Sequence, residues 1–191
     1  MIGVDFVGSG VAMAATETAG VLPATRWNSA PAASGSLAAL VASDGTGTGA
    51  SITWSGENLW VLPVADAPGN ARMMNGYLDP FGMASVTVTA LPASLTASGY
   101  DVYVYANGDV SAGDTRTGIY TIGAAMQTVT QAAQTPFAGT FTQAVAGGTG
   151  NYVVFRNVTG SSFTLTATPG TGTTRRSPLN GLQIITAGAG P

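Results

Sequence analysis

Short segments in which apolar and polar residues alternate constrain the fold of this chain more than any other feature. In SVTVTAL, Val86 and Val88 alternate with Thr87 and Thr89, so an extended chain has one apolar and one polar face. Comparable segments recur between clusters of Gly, Pro, Asn and Asp, which favour turns. This pattern predicts an all-β protein of many short strands rather than one built from βαβ units.

The predicted strands are spread along the whole sequence. They are residues 2–7, 36–42, 50–55, 72–78, 85–91, 100–106, 116–122, 126–131, 138–143, 152–155, 162–167 and 182–186. Segment 11–19, VAMAATETA, is predicted to be either a short helix or an irregular loop. At 191 residues and 19.0 kDa, the chain has the size of one domain with a sizeable core. We expect a two-sheet antiparallel β-sandwich of jelly-roll type over residues 1–186, and a linker-like tail over 187–191.

The segment YDVYVY, residues 100–105, has no face that looks like an ordinary wet surface. Its even-numbered side chains are Tyr, Val and Val, and its odd-numbered ones are Asp, Tyr and Tyr. We expect the even-numbered side chains in the core between two sheets, and the two odd-numbered tyrosines beneath a crossing segment, residues 11–31. Asp101 would then need an arginine partner, because an isolated buried carboxylate is costly.

Two missing residue types limit the chemistry of this chain. The sequence contains no histidine and no cysteine, which excludes a Ser-His-Asp triad, a cysteine nucleophile, disulfide bonds and a zinc site of the usual His/Cys type. A pair of carboxylates could still hydrolyse a glycosidic bond, and Glu57 lies between Trp54 and Trp60. We favour the alternative that Glu57 is a loop acid beside aromatic side chains, and we expect the protein not to be an enzyme.

The charge content points to a habitat and to the kinds of partner. Charged residues make up 8% of the chain, the net charge is −3 at pH 7, and all six basic residues are arginine. A surface so poor in charge favours an extracellular or cell-surface protein. Arg175-Arg176 is the only adjacent basic pair, so we expect no nucleic-acid partner. No apolar run reaches about 18 residues, which predicts no membrane insertion. Residues 1–10 lack the basic start of a signal peptide, so an exported chain would be a mature form or part of a longer protein.

Aromatic side chains with polar neighbours are candidates for a ligand site. Sugar rings stack their apolar CH faces on Trp or Tyr, while Asn, Asp or Arg side chains pair with the hydroxyls. Trp27 lies in the proline-bounded loop VLPATRWNSAP, which is compatible with an exposed position. For each aromatic residue taken singly, burial in the core is the favoured interpretation. The candidate ligand-binding residues are Arg26, Trp27, Asn28, Trp60, Arg72, Asn75, Tyr77 and Asp79.

The segment NGDVSAGD, residues 107–114, is a candidate calcium loop. It presents side-chain oxygens at Asn107, Asp109 and Asp114, and Ca²⁺ takes six to eight oxygen ligands from a tight loop. The alternative is a polar hairpin with Asx-turns, which needs no metal. We therefore predict no cofactor other than a possible structural calcium ion.

An ordered set of motifs resembles a known module. The set comprises AGVLPATRWN, GASITWSGENLW, ARMMNGYLD, YDVYVYANGD, GNYVVF, SSFTLTAT and RRSPLNGLQII. It resembles a β-sandwich module found in large exported proteins of environmental bacteria such as planctomycetes, verrucomicrobia and acidobacteria. It is also similar to galactose-binding-like jelly rolls, in which a closing strand of the NGIQI type is common; the corresponding residues here are 180–185.

The resemblance implies a jelly-roll sandwich and a carbohydrate-binding-like role, and it assigns no ligand residues. We therefore expect a non-catalytic extracellular module of a larger exported protein that binds polysaccharide or glycan. The alternative is a structural, adhesive or filament-forming β-sandwich without a small ligand, whose strand edges pair with neighbouring copies.

Overall fold

Two sheets form the body of the structure, a computed structural model that describes residues 1–190. The strands are β1 (Ile2–Phe6), β2 (Asn28–Ala30), β3 (Ser34–Leu37), β4 (Ser51–Ser55), β5 (Leu59–Val61), β6 (Gly76–Leu78), β7 (Ala84–Thr89), β8 (Tyr100–Tyr105), β9 (Thr115–Ile122), β10 (Ala125–Ala132), β11 (Tyr152–Val158), β12 (Phe163–Gly172) and β13 (Gly181–Thr186). The helices are α1 (Asn70–Asn75) and α2 (Ala93–Thr96). No helix among the described residues is long and apolar enough to span a membrane.

The strand order defines the two sheets. One is five-stranded, with the order β11-β8-β13-β1-β2, and the other is six-stranded, with the order β10-β9-β12-β7-β4-β3. Neighbouring strands pair antiparallel except β1 and β2, which pair parallel. A separate two-stranded sheet joins β5 to β6.

The main core lies between the two large sheets. Val102 pairs across the five-stranded sheet with Ile184, and Val86 pairs across the six-stranded sheet with Trp54 and Leu165. All of these side chains belong to one buried cluster, as the alternation of buried and less buried residues along β7 requires. The prediction of an all-β antiparallel sandwich is therefore confirmed, whereas the jelly-roll type stays a prediction.

A second core covers the outer face of the five-stranded sheet. Tyr103 and Tyr105 of β8 are buried there with Trp27 and with the α1 residues Met73 and Met74. The even-numbered residues of β8 face the main core, so both faces of this strand are covered by protein. The expected division of the YDVYVY segment is confirmed.

Hydrogen bonds fasten the crossing segment to this outer face. The buried hydroxyl of Tyr105 accepts a bond from the Val21 amide at 2.8 Å and donates to Oε1 of Gln183. The amide group of Gln183 donates in turn to the Leu22 carbonyl at 2.8 Å. Asp101 also has the expected partner, because its Oδ2 lies 2.7 Å from Nη1 of Arg156.

Several predicted elements differ from those observed. Residues 72–78 divide into the end of helix α1 and the short strand β6, because Met73 and Met74 pack helically against the outer face. Residues 138–143 form no strand: Gly139 has a φ of 93°, and the segment makes only an isolated bridge to Tyr152. The predicted strand 36–42 overlaps the observed strand β3, Ser34–Leu37, only at its first two residues. Residues 11–19 are a loop rather than a helix.

The last residues continue from β13 as a turn. The Ala187 amide donates to the Gly99 carbonyl at 3.1 Å, and the Ala189 amide donates to the Thr186 carbonyl at 3.2 Å. Residue 191, the end of the predicted tail, lies outside the described residues.

One buried carboxyl has no ion-pair partner. Asp5 is 1% exposed, and neither of its oxygens accepts a hydrogen bond of normal geometry from a described residue. Burial raises the pKa of Asp5 well above its ordinary value; the nearby Met13 amide offsets part of this, and the charge of Glu17 adds to it. The folded state therefore favours the protonated form of the Asp5 carboxyl more strongly than the unfolded chain does.

We predict that the Asp5 carboxyl makes the fold less stable as the pH rises. Because its pKa is higher in the folded state, its contribution is complete below about pH 4, the unfolded-state value, and is lost as the pH rises through the raised pKa. Urea unfolding between pH 4 and pH 8 should show this decline in wild type and a flatter profile in Asp5→Asn. Asp44→Asn is the control, because the exposed Asp44 has a lowered pKa; if it flattens the decline equally, the assignment to Asp5 is wrong.

Two tyrosines of β8 allow a matched test of the outer layer. Tyr105→Phe should destabilise the fold by about 1–3 kcal/mol, because it leaves the part-buried Val21 amide and the buried Oε1 of Gln183 without a hydrogen-bond partner. Tyr100→Phe should change stability little, because the buried Tyr100 hydroxyl has no partner among the described residues. Equal losses in chemical denaturation of both variants would contradict the proposed role of the Tyr105 hydroxyl.

Candidate functional site

A polar cleft of about 420 Å³ lies where one set of strand ends meets the β5–β6 hairpin. The loops that follow β8 and β12 supply most of its wall, and Arg116, near the start of β9, supplies its floor. The lining residues are Asn58, Trp60, Tyr77, Asp79, Asp109, Arg116, Thr173, Thr174, Arg175 and Arg176. The volume lies within the ~300–1,000 Å³ range of small-molecule sites.

The β5–β6 hairpin places two aromatic rings at this cleft. Trp60 is the cross-strand partner of Tyr77, so both side chains point to the same face of the hairpin. Trp60 is 49% exposed, whereas Tyr77 is 1% exposed. The hydroxyl oxygen of Tyr77 accepts a bond from the Asp109 amide at 2.9 Å, and burial raises the pKa of this phenol well above its ordinary value. Tyr77 is therefore a neutral wall residue, and Trp60 is the ring available to a ligand.

Asp79 follows β6 and presents a buried carboxyl to the cleft. Its Oδ2 lies 3.2 Å from Nε of Arg176, and its Oδ1 has no hydrogen-bond partner among the described residues. Burial raises the pKa of Asp79, and the charges of Arg116 and Arg176 oppose this rise. One oxygen of Asp79 is thus held by protein, and the other keeps its capacity to accept a bond.

Arg116 is the most unusual residue of the cleft. Along β9 the side chains at 116, 120 and 122 alternate inward, so Arg116 is turned into the end of the sandwich and is only 2% exposed. Its Nη2 donates to the Asp109 carbonyl, while Nε and Nη1 have no acceptor among residues 1–190. It forms no ion pair with a described carboxylate. Burying a cation that makes only one hydrogen bond is costly, so the presence of a charged side chain at this depth needs an explanation.

Gly108 makes room for this guanidinium. A Cβ atom at position 108 would lie 2.1 Å from Nη1 of Arg116, far closer than two non-bonded atoms can approach. The Gly108 amide also donates to Oε1 of Gln131 at 3.2 Å, and Gln131 is the cross-strand partner of Arg116. The loop after β8 therefore packs directly on the buried arginine.

The other two arginines of the cleft differ in their contacts. Arg176 lies between Asp79 and Phe81, with its guanidinium carbon 5.4 Å from the centre of the Phe81 ring. Arg175 is exposed and forms no ion pair with a described residue. The hydroxyls of Thr173 and Thr174 position this wall, because they donate to Asp114 at 2.8 and 2.7 Å.

Four of the predicted site residues meet at the cleft. Trp60, Tyr77 and Asp79 were expected to bind a ligand, and Asp109 was expected to bind calcium. The sequence separation between the hairpin and Asp109 is closed by the bond from the Asp109 amide to Tyr77. The grouping is therefore built by tertiary contacts and not by a local motif.

Trp27 is buried, as the favoured interpretation of a single aromatic residue has it, and it therefore does not offer the stacking surface for which it was a candidate. It is 6% exposed, its Nε1 donates to the Ala24 carbonyl at 2.9 Å, and its ring meets Tyr105 edge-on at 6.1 Å between centres. Gly3 of β1 provides the space, because a Cβ there would lie 2.9 Å from the indole. Trp27 is covered because the outer face of the five-stranded sheet needs a large apolar side chain at this point.

The remaining candidate ligand residues lie outside the cleft, and the side chains of all but Arg26 have structural partners among the described residues. Asn28 bonds to the Gly3 carbonyl and to both backbone groups of Val41. Arg72 forms ion pairs with Glu17 and Asp66. Asn75 is buried at the end of α1, and Arg26 is exposed with a φ of 55°.

The predicted calcium ligands have separate roles. Asn107 is buried, and its Nδ2 donates to the Thr135 carbonyl at 3.2 Å. Both carboxylate oxygens of Asp114 accept bonds from threonines, which lowers the pKa of Asp114. Among residues 1–190, no group of three or more His, Cys, Asp or Glu side chains is arranged to hold a metal ion. The calcium site stays a prediction that no such cluster supports.

Glu57 has the role of a loop acid. It is exposed, and its Oε2 accepts bonds from the backbone amides of Phe81, at 2.9 Å, and Gly82. This agrees with the favoured interpretation of Glu57 and gives the carboxylate a task in ordering the turn before β7.

Six polar residues of the cleft were not among the candidates predicted from the sequence. They are Asn58, Arg116, Thr173, Thr174, Arg175 and Arg176. One signal was available, because Arg116 occupies an inward position in the alternation of TRTGIYTI, where an apolar residue is expected.

Comparison with known proteins adds nothing to this geometry. No protein-family model matches the chain, and no curated protein matches its sequence.

We predict that Arg116 lowers the stability of the protein. Arg116→Met keeps most of the side-chain volume and removes the unpaired buried charge, so the free energy of unfolding should rise by about 1–3 kcal/mol. Chemical denaturation at neutral pH measures this change. A loss of stability of more than about 1 kcal/mol would contradict it and would mean that the bond to the Asp109 carbonyl outweighs the cost of burying the charge.

Proposed function

We propose that this protein is a non-catalytic carbohydrate-binding module that holds a glycan in the cleft beside Trp60. The observation that carries the proposal is the exposed indole of Trp60 beside accessible polar side chains that line the same cleft, namely the carboxylate of Asp109 and the guanidinium of Arg175. An apolar platform with a few placed polar groups is the general arrangement of a small-molecule site.

The binding mode follows from the side chains present. The Trp60 ring, which is 49% exposed and lines the cleft, stacks on the apolar CH face of a sugar ring. The carboxylate of Asp109 accepts bonds from sugar hydroxyls, and Arg175 donates to ring or hydroxyl oxygens. The Asp79–Arg176 ion pair holds the wall of the cleft in place before a ligand arrives, which reduces the entropy lost on binding.

The composition supports a setting outside the cell. Charged residues are 8% of the chain and lysine is absent, and the outer face of the six-stranded sheet is built from hydroxyl residues such as Thr53, Thr87 and Thr164. We propose that the module belongs to a larger exported protein and brings its neighbouring domains to a polysaccharide. Neither nucleic acid nor membrane insertion is part of this proposal.

We predict that Trp60→Ala lowers glycan affinity at least roughly tenfold, because it removes the stacking surface. The measurement is binding of the pure protein to a broad panel of neutral and acidic polysaccharides by affinity electrophoresis, followed by calorimetry on a glycan that binds. Met126→Ala is the matched control, because Met126 is also exposed, at 63%, and does not line the cleft.

Three results would count against the proposal. Absence of binding across the panel contradicts glycan binding, and equal losses in Trp60→Ala and Met126→Ala contradict the assignment to the cleft. Release of reducing sugar from a bound glycan, lost in Asp79→Asn, would show that the protein is an enzyme.

A further inference from the structure

We propose that the sugar held in the cleft carries a negative charge, as a uronic acid or a sulfated sugar does. This inference rests on the proposed glycan-binding function and names the class of glycan. Its basis is the concentration of arginine at one site in a protein that has little charge elsewhere. Arg116, Arg175 and Arg176 all line the cleft, and the whole chain contains six arginines and no lysine.

The charges of the cleft do not balance. Its lining contains three arginines and two acids, Asp79 and Asp109, which gives a formal excess of +1, whereas the chain as a whole carries −3. Arg176 pairs with Asp79, but Arg116 and Arg175 form no ion pair with a described carboxylate. Outside the cleft, Arg72 and Arg156 are paired with carboxylates, and Arg26 is paired with none of the described ones. Asp114 lies behind Thr173 and Thr174, so the positive excess belongs to the lining of the cleft itself.

The burial of Arg116 increases its effect on a ligand. Its guanidinium lies in the end of the sandwich, 2% exposed, with Tyr120 of the main core in the same inward row of β9. Water screens a charge poorly at such a position, so an anion in the cleft interacts with Arg116 more strongly than with an arginine on the surface. Because Nε and Nη1 of Arg116 are shielded from solvent, Arg116 acts through its field, and the exposed Arg175 is the residue that touches the anionic group.

The acids of the cleft narrow the ligand further. A simple inorganic anion would be repelled by Asp79 and Asp109. A neutral sugar would provide no negative charge opposite Arg116 and Arg175. An acidic sugar fits both kinds of group, because its hydroxyls donate to the Asp109 carboxylate and its anionic oxygens accept from Arg175. The Trp60 ring supplies the apolar contact that a free anion does not need.

Two exposed arginines, one in the cleft and one outside it, provide a matched pair of variants. Arg175→Gln removes one charge at the cleft, and Arg26→Gln removes one charge from an exposed arginine that does not line it. Both substitutions make the net charge more negative by the same amount, so non-specific repulsion of a polyanion changes equally in the two proteins.

The test compares ligands that differ only in charge. Polygalacturonate is measured against its fully methyl-esterified form, and dextran sulfate against dextran, by calorimetry or affinity electrophoresis at two salt concentrations. We expect the wild type to bind a charged member of a pair at least roughly tenfold more tightly than its neutral form. Arg175→Gln should reduce this preference about fivefold or more, Arg26→Gln should preserve it, and added salt should weaken it in the wild type.

Each outcome separates this inference from the function on which it rests. Preference for polygalacturonate assigns a carboxylate sugar and preference for dextran sulfate assigns a sulfate ester, and both support the inference. Trp60-dependent binding of neutral glycans that is unaffected by Arg175→Gln overturns the acidic ligand and leaves the glycan-binding function standing. Absence of binding to every glycan, charged or neutral, overturns both. Equal losses in Arg175→Gln and Arg26→Gln overturn the acidic site, because the effect would then be one of net charge.

Discussion

The five-stranded sheet is buried on both faces, and the rest of the structure follows from that constraint. Strand β8 has six consecutive buried residues, so it needs apolar cover on the side away from the main core. The loop that contains Trp27 and the helix α1 provide this cover. Because α1 runs directly into β6, the layer that covers the sheet also carries the β5–β6 hairpin to the end of the sandwich. The cleft is thus a consequence of how the outer layer ends.

The two ends of the β8 strand are treated differently. Its first residue, Tyr100, is packed in the main core with Phe163, whereas the loop that follows it carries Gly108 and Asp109 over a buried arginine. A sandwich can close either end with apolar side chains, as it does around Tyr100. Arg116 and Gln131 are buried polar residues at the opposite end, where we predict that Arg116 lowers stability. Local loss of stability is typical of binding sites.

The sequence predicted the sandwich well because period-two alternation is a property of single strands. The faces of β7 and β8, and the pairing of Asp101 with an arginine, followed from local pattern and from the cost of a buried charge. Helix α1 was missed because two adjacent methionines, Met73 and Met74, show neither the period of a helix nor that of a strand, and tertiary packing decides between them. Neither the surroundings of Trp27 nor those of Trp60 fix the exposure of the side chain in the sequence; the outer layer buries Trp27 and leaves Trp60 exposed.

The cleft was only half predictable, for a reason that concerns arginine. Trp60, Tyr77 and Asp79 lie close in sequence or on one hairpin, so aromatic-rich loops point to them. Arg116 and Arg176 come from segments far from the hairpin, and only the tertiary fold brings their charges near Asp79. Adjacent Arg175 and Arg176 were too few for a nucleic acid, yet the fold adds a third arginine beneath them. Basic residues must therefore be counted per site and not per segment, because a low-charge chain can concentrate its few cations by topology alone.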